Sequence, residues 1–248
     1  MTERFIPMEG GRNLRDMGGY AAADGRTVRW RTLYRSGSLG RIAGTGPAVL
    51  AGLGLGAIVD LRSNSERAKD SHAAFTAAAR SYWARDYDYS GADLQRRFAD
   101  PASATAEGGR AMMIDAFRAL PGEQAASYAM LFARLLDCDG PLLFKCSAGK
   151  DRTGLAAALV LTALDVPHET VLEDFLLSRV APGMESLAAA MEGIIPAAQL
   201  AHMISVEPAY LDSAWAAIRA EHGSVERYLA ALGVGPAETD RLRDRLLA

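Results

Sequence analysis

The stretch FKCSAGKDRTG, residues 144–154, brings a cysteine, two lysines and an arginine together directly before an apolar segment. Five residues separate Cys146 from Arg152. If this loop joins a strand to a helix, its backbone N–H groups have no acceptor within the helix and can surround an anion such as phosphate or sulfate. Arg152 adds a planar guanidinium that can hold two oxygens of that anion, and Lys150 adds a second cation.

A cysteine at the floor of such a loop is a candidate nucleophile. Cations and a helix N-terminus favour the thiolate form of a cysteine, which is the nucleophilic form. A thiolate aimed at a bound phosphorus atom can displace the leaving group and form a phosphocysteine. We therefore predict that Cys146 is the nucleophile and that Thr153 stabilises it as the leaving group when water attacks. The predicted phosphate-binding residues are Ser147, Ala148, Gly149, Lys150, Asp151 and Thr153, together with Arg152.

Three other interpretations of this stretch are weaker. A buried structural thiol is the usual state of a free cysteine, but it leaves the nearby cations Lys145, Lys150 and Arg152 unexplained. A nucleotide-binding loop needs the pattern GxxxxGK[ST], whereas Lys150 is followed by aspartate and Phe144 stands at the first glycine position. A surface charge run does not fit between two apolar segments.

The flanking patterns predict the elements that position this loop. GPLLFKC is typical of a strand, and TGLAAALVLTALDV is typical of a helix that ends before Pro167. Apolar residues 57–61 predict a second buried strand, and RSYWARDYDYSG predicts a third. Residues 90–110 predict a long surface loop, and residues 110–136 predict a helix that is broken at Pro121.

All segments after His168 have helical patterns. Because strand, glycine-containing loop and helix make up half of a βαβ unit, we predict an α/β fold with a central, mainly parallel sheet flanked by helices. We expect a single domain over residues 1–248, with extra C-terminal helices that form a tail at 206–248. Residues 183–205 are amphipathic and rich in methionine, which is typical of core packing.

Composition limits the classes of function and the compartment. The 248 residues carry a formal net charge of −3, which argues against nucleic-acid binding. No apolar run reaches the ~20 residues that cross a bilayer, and the N-terminal stretch lacks the apolar core of a secretory signal. Cys138 and Cys146 lie at opposite ends of the predicted strand, too far apart for a disulfide. We expect reduced thiols in the cytoplasm, with export by a route without a cleaved signal left open.

CSAGKDRTG resembles the signature loop of the cysteine-dependent protein tyrosine phosphatases, most closely the bacterial tyrosine/lipid phosphatase branch, whose loop carries Lys-Asp before the arginine. GGRNLRDMGGY, RTLYRSGSL and IVDLRSNSE resemble further motifs of this branch in the same order, and SVERYLAALGVGPAETDRLRDRLL resembles its helical tail. The resemblance covers nearly the whole chain. It implies a cysteine-phosphatase-like fold and phosphomonoester hydrolysis without a metal or other cofactor, with Cys146 as nucleophile and Arg152 as phosphate ligand.

The resemblance also implies substrates and a lid. The expected substrates are phosphotyrosine in proteins, with activity extending to phosphoserine, phosphothreonine or phosphoinositides, where Lys150 would contact a second phosphate of the inositol ring. Helices at 183–205 cover the active site in this branch. The family usually has histidine before the cysteine, and Lys145 stands there. We expect Lys145 to lie buried on the far side of the strand, with weaker activation of Cys146 as the alternative.

The leaving oxygen needs a proton donor, which an acidic side chain on another loop can supply. Asp86 and Asp88 follow the third predicted strand, and the alignment with the branch at DLRS favours Asp88 as the general acid. Asp60 is a weaker candidate because it ends a buried strand, and Asp115 is weaker still.

Other charged residues are expected to be structural. Asp60 is predicted to form an ion pair with Arg62 and Glu66. Structural roles are also predicted for Asp16 and Arg35, while Arg15 is left open between structure and substrate binding.

Two other functions stay open from the residues alone. One is a catalytically weak phosphate-binding module that recognises phosphorylated partners or lipids, although the joint presence of Cys146, Arg152 and Thr153 argues against it. The other is sulfur transfer through a persulfide, to which the Lys-Asp-Arg-Thr end of the loop is poorly suited.

Overall fold

A five-stranded sheet forms the centre of the computed structural model, which describes residues 4–70, 78–88, 104–193 and 195–248. The strands are β1 (Arg15–Asp16), β2 (Leu33–Ser36), β3 (Leu55–Asp60), β4 (Ala79–Ala84) and β5 (Leu142–Lys145). Their order is β1-β2-β5-β3-β4, with β1 antiparallel to β2 and every other neighbouring pair parallel. The prediction of an α/β fold with a mainly parallel sheet is confirmed.

Helices flank this sheet, and most of them lie in the second half of the chain. They are α1 (Gly46–Gly52), α2 (Asn64–Lys69), α3 (Ala106–Glu123), α4 (Ala125–Asp137), α5 (Arg152–Ala163), α6 (His168–Leu176), α7 (Met184–Met191), α8 (Ala197–Ile204), α9 (Pro208–His222), α10 (Val225–Ala231) and α11 (Pro236–Leu246). Pro47 lies in the first turn of α1, where the missing N–H of proline costs no hydrogen bond within the helix. Gly223 ends α9 with a φ of +83°, which glycine adopts without steric cost.

Two predictions about α3 are wrong. The helix begins at Ala106, so residues 106–110 are helical and do not belong to a surface loop; residues 90–103 lie outside the described part of the chain. The helix also continues through Pro121 to Glu123, so the predicted break in this helical segment occurs at Gln124 instead, between α3 and α4. Proline is tolerated there because it lies in the last turn, where the loss of one N–H donor interrupts little of the helix.

Strand β5 lies between β2 and β3 at the centre of the sheet, and Lys145 is in register with Ser36 on one side and Asp60 on the other. Since side chains alternate along a strand, Phe144 and Cys146 project to one face of the sheet while Leu143 and Lys145 project to the other. Phe144 and Cys146 join the larger core cluster with the apolar residues of α5, and Leu143 joins a smaller core cluster with Leu50 of α1.

Within the described residues, every helix is too short or too polar to cross a lipid bilayer.

Candidate active site

The loop of residues 146–151 joins the end of β5 to the start of α5. Because β2, β3 and β5 are parallel, the residues that follow each of them meet at one edge of the sheet. Gly37 after β2 and Arg62 after β3 therefore lie near Cys146. The predicted strand, loop and helix are confirmed, and α5 begins at Arg152.

Cys146 is buried at the floor of this loop, with 2% of its surface exposed. Its Sγ accepts a hydrogen bond from the backbone N–H of Gly149 at 3.3 Å. Gly149 has a φ of +68°, and a Cβ at this position would lie 2.4 Å from the backbone nitrogen of Gly37. Only glycine fits this conformation and this close approach, so the loop needs glycine there to aim an N–H group at the sulfur.

Two buried arginines and one buried aspartate, which we call the rear cluster, lie behind the loop. They are Arg15, Arg35 and Asp174, and each is at most 1% exposed. Arg15 Nε is 3.2 Å from Asp174 Oδ1, and Arg35 Nη1 is 2.6 Å from Asp174 Oδ2. The Tyr20 hydroxyl also donates to Asp174 Oδ1, at 2.9 Å.

The rear cluster holds the loop by a carbonyl oxygen. Arg35 Nη2 and Asn13 Nδ2 both donate to the carbonyl oxygen of Gly149, each at 2.9 Å. The carbonyl oxygen of Ser147 accepts the backbone N–H of Ser38, also at 2.9 Å. These carbonyl groups are bound from outside the loop, and the N–H of Gly149 points to Cys146 Sγ, as expected for an anion-binding nest.

Burial and mutual attraction shape the titration of the rear cluster. Burial alone would raise the pKa of Asp174, but Arg15, Arg35 and the Tyr20 hydroxyl hold that pKa well below its usual range. Burial and the neighbouring Arg15 lower the pKa of Arg35 to about 10, although Asp174 opposes this shift. At neutral pH Asp174 is therefore ionised and Arg35 is protonated behind the loop.

A second cluster, which we call the front cluster, consists of Glu66, Ser147 and Arg152. Arg152 Nη1 and Nη2 each donate to one oxygen of Glu66 at 2.6 Å, and Ser147 Oγ donates to Glu66 Oε1 at 2.6 Å. Burial alone would raise the pKa of Glu66, but Arg152 and Ser147 hold it well below its usual range. Glu66 thus fixes the guanidinium plane of Arg152 beside the loop.

Glu66 has a second role as the residue that caps α2. Its carboxylate accepts the backbone N–H of Ser63 at 2.9 Å, while Ser63 Oγ accepts the backbone N–H of Glu66. This reciprocal pattern is a capping box, which fixes the first turn of a helix. The prediction that Glu66 pairs with Arg62 and Asp60 is wrong, because α2 points Glu66 toward Arg152 instead.

Asp60 and Lys145 form a charged group beneath the loop. Asp60 Oδ2 accepts a hydrogen bond from Arg62 Nη2 at 2.8 Å and one from the Tyr82 hydroxyl at 2.9 Å, so the predicted pair of Asp60 with Arg62 is confirmed. Lys145 is fully buried, as predicted, with Nζ 3.5 Å from Asp60 Oδ2. Burial lowers the pKa of Lys145 to about 8, and Asp60 opposes that shift.

The remaining loop residues have distinct surroundings. Lys150 is buried, and its Nζ donates to Asp151 Oδ1 at 2.6 Å and to the carbonyl oxygen of Ser205 at 3.0 Å. Ser205 directly follows α8, so this bond connects the loop to residues 183–205. The Thr153 hydroxyl is buried and makes no hydrogen bond within the described ranges.

The candidate general acids differ in how exposed their side chains are. Asp86 and Asp88 are both exposed and follow the carboxyl end of β4, and Asp86 Oδ1 accepts a hydrogen bond from Asn64 Nδ2 at 2.6 Å. Asp60 is fully buried within its ion pairs, where it has no access to a substrate. Asp115 lies on α3 and pairs with Arg118 at 2.5 Å.

Comparison with known proteins agrees with this geometry. A family model described as the tyrosine phosphatase family matches residues 6–248, nearly the full length of the chain. The chain belongs to the tyrosine phosphatase family. A putative tyrosine-protein phosphatase of Cupriavidus necator is 36% identical to this phosphatase, over 88% of this chain and 80% of the relative.

Two further relatives extend the comparison. The triple specificity protein phosphatase PtpB of Mycobacterium tuberculosis is 27% identical over 100% of both chains. A tyrosine-protein phosphatase of Nostoc commune is 26% identical over 86% of this chain and 73% of the relative.

Sequence reasoning missed the contribution of three residues to the site. Asp174 stands inside a helical pattern, and nothing local indicates that it binds two arginines far away in the sequence. Asn13 looks like an ordinary turn residue. Glu66 carries one local signal, because Ser63 and Glu66 have the spacing of a capping box, but that signal predicts only a helix start.

Proposed function

We propose that this phosphatase hydrolyses phosphomonoesters through a phosphocysteine intermediate, with phosphotyrosine in proteins as the main substrate. The observation that carries the proposal is the hydrogen bond from the Gly149 N–H to Cys146 Sγ at 3.3 Å, at the N-terminus of α5. A backbone donor and a helix N-terminus stabilise a thiolate, and Arg152 is held beside it by Glu66.

In the first step, the Cys146 thiolate attacks the phosphorus atom while the loop N–H groups and Arg152 bind the phosphoryl oxygens. The bond between sulfur and phosphorus forms as the bond between phosphorus and the leaving oxygen breaks. Asp88, as a carboxylic acid, gives its proton to the leaving oxygen. In the second step, water attacks the phosphorus and gives a proton to the Asp88 carboxylate, and the sulfur leaves as a thiolate stabilised by the Thr153 hydroxyl.

The proposed substrate range extends to phosphoserine, phosphothreonine or phosphoinositides. In this proposal Lys150 contacts a second phosphate group, which requires it to leave the carbonyl oxygen of Ser205. Residues 183–205 then act as a lid on a single domain over residues 1–248. Cys138 and Cys146 are both free thiols, which is consistent with the proposed cytoplasmic location.

Phosphate release from phosphopeptides, short-chain phosphoinositides and p-nitrophenyl phosphate tests the proposal. We expect Cys146→Ser to lose at least about 10⁴-fold in kcat, because the hydroxyl lacks an activating base. Turnover that survives this change would refute the phosphocysteine route, and a wild-type chain that binds but does not turn over p-nitrophenyl phosphate would be a phosphate-binding module.

The general acid is tested by comparing Asp88→Asn with Asp86→Asn. We expect Asp88→Asn to reduce kcat/KM on phosphotyrosine peptides by about 10²-fold or more and to remove the limb of the pH–rate profile that reports a protonated acid. Asp86→Asn is the matched control, because it changes an exposed aspartate two residues away. An unchanged profile in Asp88→Asn would exclude Asp88.

A further inference from the structure

A pocket of about 260 Å³ adjoins the catalytic loop. Glu66 and Ser147 of the front cluster line one side of it, so the pocket shares a wall with the active site. Four cationic side chains from different parts of the chain line it as well: Arg12, Arg41, Arg62 and Lys69. The pocket therefore combines proximity to the nucleophile with a concentration of positive charge in a chain whose net charge is negative.

The two carboxylates that line the pocket are already occupied by other partners. Glu66 binds Arg152 and Ser147, and Asp70 Oδ2 binds Arg62 Nη1 at 2.6 Å. Asp70 also accepts a hydrogen bond from the Ser38 hydroxyl. These contacts use Arg62 as well, since its guanidinium is shared between Asp60 and Asp70. Both carboxylates of the pocket are thus engaged in bonds that hold the structure together.

The other three cations are not neutralised in this way. Arg41 and Lys69 are exposed and form no ion pair within the described ranges. Arg12 is half-buried, and its Nε donates to Ser186 Oγ on α7 at 3.1 Å, which is a contact with a neutral group. Three segments of the chain therefore converge to present positive charge to one space, which distinguishes this pocket from a solvated charge run.

Arg12 and Arg41 are close enough to repel one another. Burial and the positive charge of Arg41 lower the pKa of Arg12, while Asp70 opposes the shift. Two guanidinium groups held together in this way are stabilised when an anion lies between them. The repulsion in the free protein is a feature that a bound anionic group would relieve.

Arg12 also lies directly against the catalytic loop. A Cβ placed on Gly37 would be 2.9 Å from Arg12 Cβ and 2.8 Å from the carbonyl oxygen of Ala148. The backbone N–H of Gly37 donates to the carbonyl oxygen of Arg12 at 2.7 Å. A group bound by Arg12 would therefore lie close to a substrate molecule whose phosphate occupies the loop.

We propose that Arg12, Arg41 and Lys69 form a subsite for an aspartate or glutamate side chain adjacent to the phosphotyrosine of a peptide substrate. This proposal rests on the proposed function and adds a sequence preference to it. The Cα atoms of neighbouring residues in a peptide are ~3.8 Å apart. The side chain of a residue next to the phosphotyrosine can therefore extend toward a pocket that borders the loop. Membership of the tyrosine phosphatase family favours a peptide as the occupant.

Steady-state kinetics on three matched phosphotyrosine peptides test the subsite. Their flanking residues are aspartate, alanine or lysine. We expect kcat/KM of the wild-type chain to be about tenfold higher for the aspartate peptide than for the alanine peptide, and the ratio to fall as salt increases. In Arg41→Glu/Lys69→Glu we expect the ratio to fall to about one, and the lysine peptide to become the better substrate. Circular dichroism and melting temperature confirm that the variant is folded.

Arg29→Glu is the control, because it reverses the charge of an exposed arginine that does not line the pocket, and we expect it to keep the wild-type preference. A wild-type chain that hydrolyses all three peptides equally, or an aspartate preference that survives Arg41→Glu/Lys69→Glu, would overturn the subsite while leaving the proposed function intact. A loss confined to a soluble short-chain phosphoinositide would assign the pocket to that ligand and also overturn the proposal. If no phosphotyrosine peptide is hydrolysed, the proposed function itself fails.

Discussion

The catalytic loop is held from two sides by clusters with similar chemistry and different burial. In the rear cluster, Asp174 lies between Arg15 and Arg35, and no side chain is more than 1% exposed. In the front cluster, Glu66 holds the guanidinium of Arg152, and these side chains are 28% and 16% exposed. Both clusters join carboxylate to guanidinium, but only the front one faces the space that a substrate would enter.

This difference indicates that ion pairs of one chemical type have two different roles in this molecule. A fully buried pair loses its hydration, so its partners depend on one another and the group fixes the backbone around it. A partly exposed pair keeps some solvent screening and can exchange contacts with a ligand. We therefore expect changes in the rear cluster to be measured mainly as lost stability, and changes in the front cluster mainly as lost activity.

The largest expected effect is in the rear cluster. Asp174→Asn should lower the free energy of unfolding by about 3–5 kcal/mol, because it leaves two buried guanidinium groups with no carboxylate partner. Urea unfolding measures this change. Asp244→Asn is the control, since Asp244 is exposed and pairs loosely with Arg26 at 3.7 Å; that change should be within about 0.5 kcal/mol. Equal effects of the two substitutions would show that the buried ion pairs of the rear cluster add no more stability than an exposed pair.

The stabilisation by Asp174 should disappear in acid. Its pKa is held below the usual range in the folded chain, whereas an unfolded aspartate titrates near ~3.9. Stability from this group is therefore complete above about pH 5 and is lost as pH falls through the folded pKa. Urea unfolding at pH 7, 5 and 3 should show that the difference in the free energy of unfolding between wild type and Asp174→Asn is smallest at the lowest pH. A gap that stays constant would contradict the electrostatic explanation.

In the front cluster, Glu66→Gln should reduce kcat/KM on p-nitrophenyl phosphate by about 10–100-fold, since an amide cannot hold both Nη atoms of Arg152 as acceptors. The free energy of unfolding should change by less than about 1 kcal/mol, because glutamine still caps α2.

The matched control is Glu238→Gln, which changes the equivalent capping glutamate of α11, where Glu238 accepts the N–H of Gly235 at 3.1 Å. We expect its kinetics to be unchanged. Unchanged activity in Glu66→Gln would show that Glu66 acts only as a cap.

The smallest expected effect concerns Lys145, which is as buried as the rear cluster but lies 3.5 Å from its carboxylate partner. The pKa of Lys145 is lowered to about 8 in the folded chain, against ~10.4 for an unfolded lysine. Between these values the unfolded chain binds more protons, so this group adds stability as pH rises. Relative to Lys145→Met, the free energy of unfolding of the wild type should rise by about 1 kcal/mol between pH 8 and 9. If the difference in the free energy of unfolding between the two proteins stays constant across that range, burial does not lower the pKa of Lys145.

The sequence predicted the elements that depend on local patterns. The apolar run of β5, the glycine-containing loop and the alanine-rich α5 are continuous in the chain, and so they placed Cys146 and Arg152 correctly. The alignment of the carboxyl ends of parallel strands then brings Glu66, on the helix after β3, to Arg152.

The clusters could not be predicted because their partners are remote in sequence. Arg15 and Asp174 are 159 positions apart, and Arg152 and Glu66 are 86 positions apart. Helical periodicity indicated that α6 buries one face, but it gave no sign that an aspartate on that face would be neutralised by arginines from the first two strands. Likewise, the sequence predicts that Glu66 joins the pair of Asp60 and Arg62, and only the path of α2 directs it to Arg152.

The contact between Gly149 and the first part of the chain has a consequence for biosynthesis. The carbonyl oxygen of Gly149 is bound by residues 136 and 114 positions earlier, and α6, which follows the loop, supplies the aspartate that holds Arg35. Such long-range closure is among the slow steps of folding, and it requires more than two thirds of the chain to have been synthesised. We therefore expect a nascent chain to be inactive until Asp174 of α6 has bound Arg35. The recovery of turnover after dilution from denaturant would measure the fraction of molecules in which these long-range contacts have formed.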